Sequence, residues 1–403
     1  MRFHAAVGIA LSYLASNNSY CQPQDARSAQ TAPEAEKKRL REMLERDPNN
    51  KEALFALGRL LVEERDFEAG GSLLRRYIAI WPTEPGAWAY LVRSAAGEND
   101  SAGAADAQRQ IAHLAPTNLA LHSQAACWLA GSSAPEVTEQ EFELVMSLAS
   151  YQTTSGAGWY SRLGQCYEHL PDIDRATRAF QAAIELDSNR EDHYFRLARL
   201  LSRKGMAGRA AEVMNNAIAH FPRSFATRVE AGTIELEAGN PERALELQRD
   251  AAGLDAKSPG VLSLLGRIQM AQRNYLGATA SLEQAAKLAP EDAGIHFYAG
   301  QAWMKADQGT ERAIEHLKRS LDLDASRGST YYWLGSIYFH RNHDYRLAVR
   351  YLEQAMLRAP ELEAAHQMLI QAYKRLGEDA KADEQLRRYQ ETVQRRAKGE
   401  TPR

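Results

Sequence analysis

The sequence predicts an all-α protein, a solenoid of about ten helix–turn–helix units, and three observations lead to it. Proline stands at 48, 82 and 116, two steps of 34 residues. Pro222 to Pro290 is two more such steps; Pro116 to Pro222 leaves four extra residues over three steps, and Pro290 to Pro360 two extra over two. A proline after the second helix of a unit ends that helix and turns the chain into the next. The second observation is a first-helix position held by small residues: Gly58, Ala126, Gly164, Ala198, Gly232, Gly266, Gly300 and Gly335, with Val92 and Ile370 as departures. The third is a matching second-helix position, Gly70, Ala104, Ala176, Ala210, Ala244, Ala278, Ala313, Ala348 and Ala382, which the third unit lacks.

Residues 157–190 show the unit most clearly. Tyr160, Leu163 and Tyr167 recur three and four apart, so they share one face of a first helix. Gly164 among them lets a second helix come close, and Ala176, Phe180 and Ala183 fill the same seam. Two short amphipathic helices cannot bury their apolar stripes alone, so the unit is stable only when stacked on copies of itself. This pattern, with its turn at Pro171-Asp172, resembles the tetratricopeptide repeat family, with Tyr160 where tryptophan is commonest. The resemblance implies a right-handed superhelix whose first helices line a concave groove for an extended peptide or a partner helix.

Taken in order, residues 1–21 read as a signal peptide, because Arg2 precedes an apolar run from Ala5 to Ala15 that is too short to span a bilayer. Residues 22–32 read as a flexible polar leader. Cys21 invites a lipid anchor, yet Asn18-Ser19-Tyr20 before it does not match a lipobox. The expected location is the bacterial periplasm, or the cytoplasm if the run is not cleaved. Residues 33–50 form a capping half-repeat with Leu40, Met43 and Leu44 inward. Two units fill 51–118. Residues 119–156 form a degenerate unit, with Gly131 to Pro135 lengthening its turn and Thr153 to Gly156 loosening its exit; alternatively the chain breaks there into stacks 33–150 and 157–398. Units four to nine fill 157–362, starting at 157, 191, 225, 259, 293 and 328. Single extra residues fall in the solvated turns 307–310 and 340–344. The last unit and a capping helix occupy 363–398, and 399–403 is a tail.

Three cysteines make no disulfide framework. Cys127 and Cys166 fall on neighbouring first helices, where a bridge is conceivable and two unpaired, partly buried thiols are the expectation. A net charge of −3 offers no global field for nucleic acid or an anionic membrane. No nucleotide-binding, hydrolase or zinc-protease motif occurs, and the repeats leave no room for a catalytic domain, so we expect no enzyme and no cofactor. His340, His343 and Asp344 are a sparse metal-like set in a turn and read as ordinary polar residues. Trp81, Trp88, Trp159, Trp303 and Trp333 read as packing residues.

By the family resemblance, the groove is lined by positions two, five, nine, twelve and thirteen of each unit. Position nine gives Arg59, Arg93, Cys127, Gln165, Arg199, Thr233, Arg267, Gln301, Ser336 and Gln371, with four arginines and three glutamines as hydrogen-bond donors and no acid among them. Phe195, Phe297 and Tyr332 at position five supply apolar area, joined by Phe55, Met304 and Phe339, and Arg203 and Lys374 add charge. The family's Lys/Asn clamp for chaperone C-termini is missing. The expected role is a protein- or peptide-binding scaffold with no transmembrane span. The alternatives are a self-assembling structural solenoid, or a regulatory subunit of a separate envelope or sugar-modifying enzyme.

Overall fold

A computed structural model describes residues 26–152, 154–168, 170, 173–306 and 309–397. The proposed signal segment, the Pro171-Asp172 turn and the 399–403 tail lie outside these residues. Every regular element among them is an α-helix. Helix α1 (Ala26–Arg46) is followed by the pairs α2 (Lys51–Glu63) and α3 (Phe67–Ile80), and α4 (Pro85–Glu98) and α5 (Ser101–Leu114). Next come α6 (Leu119–Leu129) and α7 (Pro135–Ser150), then α8 (Thr154–Tyr167) and α9 (Asp174–Leu186). These form the first of two compact units, which divide between Asp187 and Ser188.

The second unit holds α10 (Glu191–Arg203) and α11 (Ala207–His220), α12 (Phe225–Glu237) and α13 (Pro241–Asp255), and α14 (Pro259–Ala271) and α15 (Tyr275–Leu288). It continues with α16 (Ala293–Lys305) and α17 (Thr310–Leu323), α18 (Gly328–His340) and α19 (Tyr345–Arg358), and α20 (Glu363–Arg375) and α21 (Asp379–Ala397). Nine of the ten first helices begin at the residue the 34-residue count predicts. The tenth, α8, begins at Thr154, so the stretch read as a loose exit is the first turn of a helix. Helix α1 likewise reaches back to Ala26 into the supposed leader, where alanines and Gln30 favour helix.

Eight helices are started by a capping side chain, and the pairs close in a tight seam. Asn50, Asp66, Asp100, Asn118, Ser224, Asn274, Asp292 and Asp344 accept backbone N–H bonds of the first turn that they cap, at 2.8–3.3 Å. The small positions permit the seam. A Cβ on Gly266 would stand 2.5 Å from Leu282 Cγ, and one on Gly164 2.7 Å from the Phe180 ring. Eight of the intra-repeat turns carry a left-handed residue among the described residues, glycine at 131, 205, 239 and 377 and Arg65, Asn99, Arg273 and His343 in the others. In that last turn Asp344 is spent on capping α19, and His343 sets the backbone turn.

Neighbouring repeats are cross-linked by long side chains. Arg178 forks onto both oxygens of Glu143 (2.7 and 3.1 Å), Arg175 pairs with Glu139, and Lys51 reaches Glu84 at 2.9 Å. The degenerate unit has more. Cys127 and Cys166 form a disulfide between α6 and α8, with Cα atoms 5.1 Å apart, where two free thiols had been expected. Positions nine and ten of consecutive first helices face each other there, inside the usual bridging range. The Tyr167 hydroxyl donates to Ala126 O at 3.3 Å in the same place. Within the first compact unit the stack runs on through α8 and α9, and the division falls after Asp187.

Candidate interaction face

Three of the four ninth-position arginines are fixed by a neighbouring repeat. Arg199 donates through Nε and Nη2 to the two oxygens of Glu230, at 2.5 and 2.6 Å. That bond holds the guanidinium above its ordinary value, against the opposing effect of burial. Arg267 donates to Thr233 Oγ1 (3.1 Å) and Glu237 Oε1 (3.3 Å) and lies 4.6 Å over the Tyr298 ring, with its side chain only 13% exposed. Arg93 donates to Glu63 O at 3.4 Å and covers the Trp128 ring, and Arg59 approaches Glu63 at 4.0 Å. Arg203 is also engaged within the chain. Arg93, Arg199 and Arg267 act as clamps between repeats, and a guanidinium with five N–H donors keeps some for a ligand.

The remaining predicted residues separate into those that present surface and one that does not. Gln165, Phe195, Gln301 and Tyr332 are half-buried, and Gln371 is exposed. Burial raises the Tyr332 phenol above its ordinary value. Phe297 is the correction: it is 7% exposed and sits in the core cluster with Leu317 and Leu334, under the Arg327 guanidinium. It packs repeats together and offers no anchor. Phe339 is buried in the same cluster. Acids share this face as well. Glu63 accepts the Tyr90 hydroxyl at 3.0 Å, so Glu63, Glu230 and Glu237 make the face mixed in charge.

A second row of residues escaped the sequence reading. Carbonyls of the turn between repeats lie outside the helical hydrogen-bond ladder, and in five units a side chain at position four supplies the donor. Trp88 Nε1 donates to Pro82 O (2.7 Å), Tyr194 Oη to Ser188 O (3.3 Å), and His296 Nε2 to Pro290 O (3.1 Å). His366 Nε2 does so to Pro360 O (2.8 Å) and His122 Nε2 to Ala115 O (3.1 Å). Where position four is Leu54, Arg76 from the second helix reaches Pro48 O at 2.7 Å. The recurrence of histidine at one register of the count was the available signal. His122 also meets the fully buried Glu141 at 2.7 Å, whose other oxygen accepts from Gln108 at 2.8 Å.

Two open grooves lie elsewhere. One, of about 400 Å³, is lined by Thr279, Ala280, Glu283, Gln284, Lys287, Trp303 and Arg312. The other, of about 350 Å³, is lined by Tyr331, Leu347, Arg350, Tyr351, Glu353 and Gln354. Neither includes a residue predicted for the first-helix face. No described helix is long and apolar enough to cross a membrane.

Comparison with known proteins places these features. Two descriptions of the tetratricopeptide repeat match, one over residues 37–85, 195–259 and 263–328, the other over 159–190 and 328–362, together more than half of the chain. Superkiller protein 3 of Schizosaccharomyces pombe is 24% identical over 212 residues, 49% of this chain and 15% of that protein. BBSome complex member BBS4 of Bos taurus is 23% identical over 172 residues, 43% of this chain and 33% of that protein. The chain thus spans a third or less of these curated relatives. Among solved structures, the APC/C hetero-tetramer Cut9-Hcn1 is similar with a TM-score of 0.48 and 16% identity, covering 80% of this chain and 63% of that one. Yeast Tom70 gives a TM-score of 0.45 and 13% identity over 91% of this chain and 89% of that one.

Proposed function

The chain belongs to the tetratricopeptide repeat family, and from that premise we propose that it is a non-enzymatic scaffold that binds a peptide segment or helix of a partner protein along its first helices. The observation that supports this most is the row Phe195, Gln301, Tyr332 and Gln371 on first helices of the second compact unit, half-buried or exposed, in the same unit as Arg199 and Arg267, which Glu230 and Glu237 already hold in position. Amide donors and aromatic area at repeat spacing suit a ligand that runs along the stack, with its carbonyls and carboxylates taken by donors and its side chains by rings. The partner works in the bacterial envelope. The apolar run Ala5–Ala15 and the Cys127–Cys166 disulfide both favour an exported protein, since disulfides persist in oxidising compartments.

A photo-crosslinking amino acid placed at Gln301 or Gln371 tests the groove in the native cell, with Leu276 and Leu357, both exposed on second helices, as comparison sites. Adducts with one protein at 301 and 371 and none at 276 and 357 are expected. Adducts confined to 276 and 357 would overturn the groove, and adducts of the chain with itself would make it a self-assembling solenoid. Intact mass of the purified native protein reads the export proposal, because a retained Met1 excludes cleavage.

A further inference from the structure

His122, His296 and His366 share position four, and each points Nε2 at a turn carbonyl, so each carries a hydrogen on Nε2. What faces Nδ1 differs. Gln385 Nε2 donates to His366 Nδ1 at 2.7 Å, so a neutral ring satisfies both nitrogens. At His296, Nδ1 lies 2.9 Å from His316 Nδ1, and His316 Nε2 lies 3.1 Å from Glu283 Oε1. Glu283 also accepts from Trp303 Nε1 at 2.7 Å. A carboxylate only accepts, so His316 gives its Nε2 hydrogen to Glu283. With one hydrogen per ring, two nitrogen lone pairs then face each other across 2.9 Å. Lone pairs at that distance repel unless a cation lies between them, and the span is that of an N–H···N bond.

We propose that the His296–His316 pair is a proton-binding site that clamps the joint between repeats 259–292 and 293–327, holding it firm when the shared proton is bound and loosening it when the proton leaves. Bound, His316 is an imidazolium that donates to His296 and to Glu283 together. When the proton passes to solvent, His316 keeps a single hydrogen and must give up one of the two bonds.

The surroundings assign the roles. Burial, helped by the fields of His316 and Arg319, prevails over the support of Pro290 O and Asp292 and lowers the affinity of His296 for a second proton, so His296 is the neutral partner. Burial works against ionisation of Glu283, but the bonds from Trp303 and His316 and the field of Arg312 hold its carboxyl below the ordinary value. Of the other charged groups around the pair, Arg319 is turned to Glu291 (2.6 Å), Arg312 stacks on Trp303, and Lys287 lines the groove beside Glu283.

The sign follows from counting protons. Above the ordinary histidine value of about 6.5, the unfolded pair holds none and the folded pair one, so stability of the joint falls as pH rises. Below it, the unfolded pair holds two and the folded pair one, so stability falls as pH drops. The joint is firmest near pH ~6.5, with its opening constant changing by up to about tenfold per pH unit on either side.

Hydrogen exchange of α15–α17 amides between pH ~5 and ~8.5, corrected for intrinsic rates, reads this directly. A maximum of protection near pH ~6.5 is expected there, and at the His366–Gln385 joint no fall above that pH, because the ring there is satisfied without a shared proton. His316→Gln copies that second joint, offering an amide hydrogen to His296, and should keep protection near wild type while removing the slope above the maximum. A flat wild-type profile, or an unchanged slope in His316→Gln, would overturn the proposal. Imidazole 15N spectra of the full chain at pH ~6 give the independent reading: both His316 nitrogens protonated supports it, and two neutral rings sink it. The same spectra with added Zn2+ and with a chelator decide between cations. A zinc-dependent shift without proton dependence would replace the proton site by a metal site.

Discussion

At the scale of single residues, the molecule is governed by what fits between two helices and by which carbonyls lack a donor. Gly266 illustrates the first. Its absent Cβ leaves room for Leu282, and Gly266→Val would drive two methyl groups into that side chain. The expected cost is about 1–3 kcal/mol, seen as a lower urea midpoint at unchanged slope. Tyr90 illustrates a polar contact with a pH signature. Burial first, and the Glu63 carboxylate next to it, push its phenol up to about 12 from 10.0. The folded state thus favours the neutral ring, so the contribution is complete below pH 10.0 and is lost as pH rises toward about 12. Tyr90→Phe should therefore show a smaller loss of urea midpoint across that alkaline window than the wild type. The glycine and alanine columns were legible in the sequence because steric exclusion leaves a residue type behind. The Arg199–Glu230 and Arg267–Thr233 clamps were not, because an arginine looks the same whether it faces a ligand or the next repeat.

At the scale of elements, the count of 34 located nearly every helix, and its failures have local causes. Helix α8 starts early because Thr154 to Gly156 continue it backward, and a Cβ on Gly156 would meet Ala149 O at 2.4 Å, so the chain passes too close to α7 for a longer loop. The disulfide was missed for a geometric reason: 39 residues separate Cys127 and Cys166, and only the facing of positions nine and ten shows that they meet. That bridge belongs to the unit lacking the usual small residue on its second helix, and it closes α6 onto α8 where the seam is irregular. Reduction should cost the first compact unit about 2–4 kcal/mol, as expected for a loop of this length. Thermal melts with and without reductant check this, and Cys127→Ala with Cys166→Ala should reproduce the reduced value. An equal melting temperature in both states would show that the bridge adds nothing.

At the scale of the whole molecule, stability is a sum of repeats and, inside each compact unit, of their nearest-neighbour contacts, because each pair there touches chiefly the pairs before and after it. The core follows this arrangement: Leu317, Leu334, Leu352 and Leu369 belong to one cluster at the C-terminal end, and Leu74, Val92 and Ile111 to another near the start. Leu317→Ala should remove about 2–5 kcal/mol from its own surroundings. Exchange protection should fall most in 293–362 and least in 51–118, and an even loss over the chain would contradict a stack of semi-independent layers. The same arrangement explains why fold was more legible than site. Layer packing repeats ten times and leaves a statistical trace, whereas an interaction surface is written once, in side chains such as Gln301 and Tyr332 whose types are common on any helix.

The turn between α18 and α19 holds one residue more than the 34-residue count requires, yet Asp344 still caps α19 and Leu352 still meets Gly335. Length at this bend is therefore uncoupled from the spacing of the layers, which is set by the helices on either side. An epitope or protease recognition sequence spliced between Asn342 and His343 should leave the layers on either side intact, whereas the same insertion after Pro360 would throw the last pair, α20 and α21, out of step.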